Sequence, residues 1–344
     1  MNLGSDNLAG VSPEMIAAIS RVNEGTVAAY GADDVTAGLT PLFANFFEHD
    51  VAVFPLTTGT AANSLALAAL VPPYGSVYCH QVAHIANDEC NAPEFYTGGA
   101  KLVLMEGANG KLNPDALAAA IDAATPHNEH NAQPAAVCLS QITEVGTTYT
   151  PDQVAELAEI AHARGLQVHM DGARIANAVV HLGCSFADIS WRAGVDALSF
   201  GATKNGALAA EALVFFDPAK GTAMPFLRKR AGHLISKMRF VSAQLEAYFT
   251  NDLWQTNALH ANSIATKIAA GLGKIENVDV LYPVEGNQIF ARLAEGTFDK
   301  MAASGHGMGH WDEADRVVRM VAAFNSDVGE IEGFLADMKV ASGA

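Results

Sequence analysis

At 344 residues, half of them hydrophobic, the chain has material for one large domain and a smaller one, and its spread of Gly, Ala and Pro fits a globular enzyme better than a disordered or fibrous chain. Its 20 basic and 37 acidic residues give a net charge of −17, which disfavours binding to nucleic acid or an anionic membrane yet leaves room for a locally positive pocket. Cys79, Cys90, Cys138 and Cys184 show no CxxC or zinc spacing, no apolar run is long enough for a bilayer and the N-terminus is not signal-like, so reduced thiols and a cytoplasmic protein are expected.

Residues 1–12 are polar and Gly-rich and predict an extended arm. Ser12-Pro13-Glu14 opens a helix with a capping residue and proline at the first helical position. The loop at 28–38 holds Tyr30-Gly31, and Thr40-Pro41 opens the next helix, to about His49. A short apolar strand at 51–56 runs into Thr57, Thr58, Gly59 and Thr60 and then an Ala/Leu helix. Free N–H groups and hydroxyls at that helix start form a ready anion site, although capping alone also selects threonine. Residues 78–90 begin as a strand and pass into a helix with His84, which suits stacking on a flat ring, proton transfer or a satisfied place in the core. A strand at 101–105, a helix at 113–124, a solvated loop at 125–134, a strand at 135–139 and a helix at 152–164 follow.

The strand at 167–171 ends in Asp171, with Arg174 three positions on. The strands at 197–200 and 209–216 flank a turn of small residues that holds Lys204. A lone turn lysine is ordinarily exposed, but no charge ladder or polar helix face surrounds this one, so a buried or half-buried amine is expected. A desolvated amine loses its proton near neutral pH and can form a Schiff base with an aldehyde. A carboxylate paired with a pyridine nitrogen keeps that ring an electron sink. Asp171, Arg174 and Lys204, in this order, are the parts needed to hold pyridoxal phosphate.

Strands near 51, 77, 102, 135, 167, 197 and 211, separated mostly by helices, predict an α/β fold with a mainly parallel sheet of about seven strands and helices on both faces. Ligands of such sheets sit at the strands' carboxyl ends, and Thr58 to Thr60, His84, Thr143, Asp171 and Lys204 all follow strand ends. Beyond Pro218 the stretch 224–248 reads as one long helix opening with Arg228, Lys229, Arg230, Lys237 and Arg239. That cluster is either a structural face or a patch for a phosphate, in this subunit or a neighbour. A helix at 254–272, strands at 278–282, 288–293 and 315–322 and a closing helix from about 326 predict a smaller C-terminal α+β domain, with the division at 1–248 and 249–344. His306 and His310 lie among glycines that argue against a helix, and no metal site is expected. Arg319, inside an apolar strand, must face a partner anion or solvent.

Taken together, SDN at 5–7, YGADD at 30–34, TGTAAN at 58–63, His84 with Glu89, HMDGARIANA at 169–178, ATKNG at 202–206 and Arg319 resemble the threonine aldolase family. The resemblance spans almost the whole chain, and the DGARIxNA run with the lysine turn is its specific part. It implies the fold type I of pyridoxal phosphate enzymes, with Lys204 as the Schiff-base lysine and Asp171 as partner of the pyridine nitrogen. It further implies Thr58, Gly59 and Thr60 as the phosphate cup, His84 stacked on the ring, and Ser5, Arg174 and Arg319 around the substrate carboxylate. The implied activity is retro-aldol cleavage of L-β-hydroxy-α-amino acids such as threonine, allo-threonine or phenylserine to glycine and an aldehyde. The implied assembly is a homodimer or homotetramer with sites at the subunit interface. Many members carry a histidine in the loop after the strand at 135, where this chain has Gln141, Ile142, Thr143 and Glu144. The base for the hydroxyl proton is therefore sought at His84, through a water, before Glu144. β-Eliminating lyases, transaminases and racemases share the scaffold; against a dinucleotide oxidoreductase, no GxGxxG follows the first strand.

Overall fold

A computed structural model describes residues 1–344. Seven short apolar runs, β1 (Ala52–Leu56), β2 (Gly75–His80), β3 (Lys101–Met105), β4 (Gln133–Ser140), β5 (Gln167–Gly172), β6 (Ala197–Gly201) and β7 (Glu211–Phe215), pair into one sheet ordered β1-β7-β6-β5-β4-β2-β3. Only β7 runs against its neighbours; the pairs from β6 through β3 are parallel. The turn at 202–210 is too short for a crossover, so the strand after it has to return antiparallel.

Between and after these strands lie α1 (Pro13–Arg21), α2 (Asp34–Ala37), α3 (Leu39–Phe47), α4 (Gly59–Leu70), α5 (His84–Asn87), α6 (Ala92–Thr97), α7 (Pro114–Ala123), α8 (Pro151–His162) and α9 (Ile175–Leu182). Strand alternation sends side chains to two faces. Leu198, Phe200, Ala212 and Val214 join the larger core with Val154 and Leu157 of α8. Ala197, Leu213 and Phe215 pack instead with Ala62, Leu65 and Ala66 of α4. Helices therefore cover both faces, and β2, β6 and β7 are buried at every position.

The single long helix expected at 224–248 is two helices, α10 (Met224–Arg230) and α11 (Arg239–Phe249). Gly232 at φ +80° turns the chain between them, a conformation that glycine adopts without strain. α12 (Leu253–Leu272) then crosses from one core to the other: Trp254 and Ala258 belong to the large core, and Ile264, Ile268 and Leu272 to a second one.

That second core lies under an antiparallel sheet of β8 (Val278–Val280), β9 (Gln288–Leu293), β10 (Gly309–Asp312) and β11 (Val317–Val321), ordered β10-β11-β9-β8, with α13 (Thr297–Ala303) and α14 (Ile331–Ser342) beside it. β10 is a strand that the sequence pattern does not announce, because GHWD has no apolar alternation. The N-terminal arm is fixed to this sheet. Leu3 is fully buried, its N–H donates to the Gly307 carbonyl at 2.8 Å and its own carbonyl accepts from Val321 N at 2.7 Å. No helix is long and apolar enough to cross a membrane.

Candidate active site

The carboxyl ends of β1, β2, β5 and β6 point their following turns toward one region. At the end of β1, Thr58 caps α4 by accepting the Ala61 N–H at 3.2 Å. Gly59 and Thr60, the first residues of the helix, have no intrahelical acceptor for their N–H groups, and the space over the Gly59 Cα is open. Arg228 of α10 reaches toward this segment from the same chain: it is buried, Nη1 donates to the Pro55 carbonyl at 3.2 Å, and Nε has no partner.

Asp171 ends β5. Its Oδ1 accepts from Ala173 N at 3.0 Å and its Oδ2 from Asn63 Nδ2 at 2.8 Å. The same Asn63 nitrogen donates to Glu89 Oε1 at 2.8 Å, and that oxygen also meets His84 Nδ1 at 2.8 Å. His84, Glu89 and Asp171 thus bring polar atoms within 4.8 Å of one another, as a metal site would. Here, though, protons on Asn63 and His84 occupy the converging oxygens. His84 Nδ1 is committed to Glu89 while the ring borders the cleft. The Glu89 hydrogen bond raises the imidazole above its ordinary value against the opposing effect of burial, with Asp171 and Glu144 adding to the rise.

Lys204 stands in the turn after β6, half-buried, with no acceptor of this chain at its Nζ. The turn is held from behind. Asn205 Nδ2 donates to Tyr248 Oη at 2.7 Å and to the Trp254 carbonyl at 2.9 Å, and Asn257 Nδ2 donates to the Asn205 carbonyl at 2.9 Å. Nearby Glu211, at the start of β7, is pushed up to about 7 by burial.

Two guanidiniums close the site. Arg174 Nε and Nη2 bind Asp6 Oδ2 and Oδ1 at 2.7 and 2.9 Å, a buried bidentate pair, and Asn287 Nδ2 adds a third donor to Asp6 at 3.0 Å. Arg319 of β11 has a buried Nε without acceptor, and burial, with Arg174 second, holds its guanidinium below the usual range. Asp6 is thus bonded to Arg174, and Arg319 has no carboxylate within bonding distance. Ser5, Arg174, Arg319, Lys204, His84 and Glu144 line a single cleft of about 790 Å³, with Trp311 of β10 at its rim. Burial pushes the Glu144 carboxyl up, and Asp171 adds to the rise.

Thr58, Gly59, Thr60 and Asp171 lie outside the lining of this cleft, and Asp171 joins it through Asn63 and Glu89. Thr143, expected among the residues at strand ends, turns away. Its buried hydroxyl meets Thr147 Oγ1 at 2.8 Å and so closes the loop behind β4. Asn63, Asp6 and Asn287 are polar residues that sequence reasoning did not single out. The first two stand inside the motifs TGTAAN and SDN, the only signal that marked them.

Residues 2–295 match the model of the Beta-eliminating lyase family. The chain is 40% identical over 341 residues to the low specificity L-threonine aldolase of Pseudomonas aeruginosa, covering 99% of this chain and 97% of that one. It is 38% identical over 331 residues to the enzyme of the same description from Pseudomonas sp., covering 93% and 95%. Its fold superposes on the threonine aldolase of Leishmania major with a TM-score of 0.91 at 26% identity, covering 98% of both chains. Matched nearly from end to end in sequence and fold, the chain belongs to the threonine aldolases of the beta-eliminating lyase family and is a lyase of fold type I.

Proposed function

We propose that the protein is a pyridoxal phosphate-dependent aldolase that cleaves L-β-hydroxy-α-amino acids, such as threonine, allo-threonine or phenylserine, to glycine and an aldehyde. The observation that carries this reading is the convergence of an acceptor-free lysine amine and a half-neutralised arginine pair in one cleft. The residues present fit the cofactor. The uncommitted N–H groups of Gly59 and Thr60 at the start of α4, beside Thr58, suit a phosphate, with Arg228 as a nearby cation. Buried Asp171, kept as an acceptor by two N–H donors, suits a pyridinium N–H. When bound, pyridoxal phosphate supplies the electron sink for the Cα–Cβ bond pair.

The chain's own groups do the rest. Arg319 and the part of Arg174 left free by Asp6, with the Ser5 hydroxyl, hold the substrate carboxylate and so fix which bond at Cα faces the reacting position. Glu89 commits His84 Nδ1, which leaves Nε2 to accept the β-hydroxyl proton, directly or through a water. Half-buried Glu144 stands second in that role.

Phe95 and Phe226 are 76% and 77% exposed on α6 and α10, which supports a homodimer or homotetramer in which such surfaces are covered. Four unpaired cysteines support a cytoplasmic setting. The test is Lys204→Ala. The folded variant is expected to release no aldehyde from threonine or phenylserine and to show no borohydride-trapped adduct on the peptide around position 204. Wild-type cleavage by that variant refutes the role, and release by the unmodified protein of ammonia with 2-oxobutanoate from threonine, or with phenylpyruvate from phenylserine, in place of glycine and aldehyde refutes the reaction.

A further inference from the structure

Among the groups that the proposed chemistry does not use, Asn63 has the most unusual surroundings. It is 1% exposed in the second turn of α4, and its single amide nitrogen donates to two carboxylates, Glu89 Oε1 and Asp171 Oδ2, each at 2.8 Å. Its own Oδ1 is buried and unpartnered, as is Glu89 Oε2. An amide that leaves its acceptor orphaned so that both protons reach anions is placed for those anions. Burying two carboxylates this close is unfavourable, and such pairs relieve the repulsion by capturing a proton between them.

Resting on the reading of the cleft given above, we propose that Asn63 is a positioning residue that clamps Asp171 and Glu89 together as two charged acceptors, and thereby ties the protonation of His84 to the carboxylate that meets the pyridine nitrogen. Burial pushes the Glu89 carboxyl up, and the bonds from His84 and Asn63 work against that rise, in favour of the charged acceptor. Glu89, so held, keeps His84 Nδ1 bonded and its ring fixed. Without the clamp Glu89 takes up the proton or swings away, and His84 loses the partner that raises it.

Other titratable groups share the cleft with this imidazole, and Glu144 among them adds to its rise. Glu144 comes from the loop after β4, Asp88 from the end of α5, Lys204 from the turn after β6, Arg174 from the start of α9, and Arg319 and His310 from the small sheet. Cys138 of β4 is a buried thiol pushed well up, and it stays neutral. None of these bonds to Asn63, so substitution of Asn63 leaves them in place.

The experiment is an NMR titration of labelled histidines in the full-length chain, before and after adding pyridoxal phosphate, with the His84 signal assigned by its absence in His84→Gln. Asn63→Leu, which keeps the branching at Cγ and the number of side-chain heavy atoms, is expected to lower the His84 midpoint by about one unit. Asn63→Asp, which adds a third acid, is expected to raise it. Opposite shifts in the chain without cofactor support the clamp whatever the enzyme's substrate turns out to be. Equal midpoints in wild type and both variants overturn it, and so do shifts of the same sign, which a packing defect would give. Should Asn63→Leu fail to fold, Asn63→Ser and Glu89→Gln replace it, each expected to lower the midpoint. Failure of the wild type to bind pyridoxal phosphate counts against the reading of the cleft and leaves the cofactor-free titration to decide the clamp.

Discussion

His84 differs from a free histidine in having one nitrogen already bonded, and the sign of the resulting shift sets a pH dependence. A base must be unprotonated, so activity falls as pH drops through a value raised by Glu89. The acid limb of kcat/KM is expected above the free-imidazole value of about 6.5, and Glu89→Gln is expected to move it down. A profile whose acid limb is the same in both proteins rules His84 out as that base. Glu211 makes a second prediction, about stability. Its folded value of about 7 lies above the ordinary glutamate value of 4.5, so its contribution is present below 4.5 and lost as pH rises through 7. Glu211→Gln, neutral throughout, should gain roughly 2–3 kcal/mol on the wild type between pH 4.5 and 8 in urea unfolding. Buried His169 works in the other direction. Burial pushes it down to about 4, so its contribution is present above the ordinary imidazole value and falls as pH drops toward 4, which masks the Glu211 slope in the wild type. At this scale Lys204 and Asp171 were readable because their neighbours in sequence are informative. Asp6 and Asn63 were not, because the partners that give them meaning lie 168 and 108 positions away.

At the scale of elements, the lysine turn and the segment from Asp171 to Arg174 are brought together by what is missing between them. A Cβ on Gly201 would meet the Ala173 carbonyl oxygen at 2.6 Å and its Cα at 2.8 Å, both backbone atoms that cannot swing aside. Gly201→Ala is expected to cost roughly 1–3 kcal/mol and to weaken cofactor binding, which urea denaturation and an absorbance titration would check. If both quantities equal those of the wild type, the close approach is unimportant. The alternation of apolar strands and capped helices made the large sheet legible, since β2, β6 and β7 are buried on two faces. The break at Gly232 was hidden because a helix pattern tolerates one glycine, and only the packing of α11 against α1 and α2 shows why the chain turns. β10 was hidden for a related reason: an edge strand with exposed residues has no buried face to impose a pattern.

Across the whole molecule, Asp6 is the point where the two sheets and the arm meet. It binds Arg174 at the start of α9 and Asn287 just before β9, while Leu3 is packed into the second core. Replacing Asp6 with Ala leaves a buried guanidinium without its anion, and a loss of about 3–5 kcal/mol is expected by calorimetry. Asp6→Glu should not recover it, since the bidentate geometry is set by the shorter side chain; a fully stable Asp6→Ala protein would contradict this account. The change of character after Pro218 marks where the strands of the large sheet end, but nothing in the sequence hints that the first residues pack with the last sheet. That placement has a consequence for how the protein is made. Leu3 leaves the ribosome long before its seat, which is built from Gly307 and Val321, some 300 residues downstream. The corner proposed to hold the substrate carboxylate, which includes Arg319, can therefore close only after the chain through Val321 has emerged.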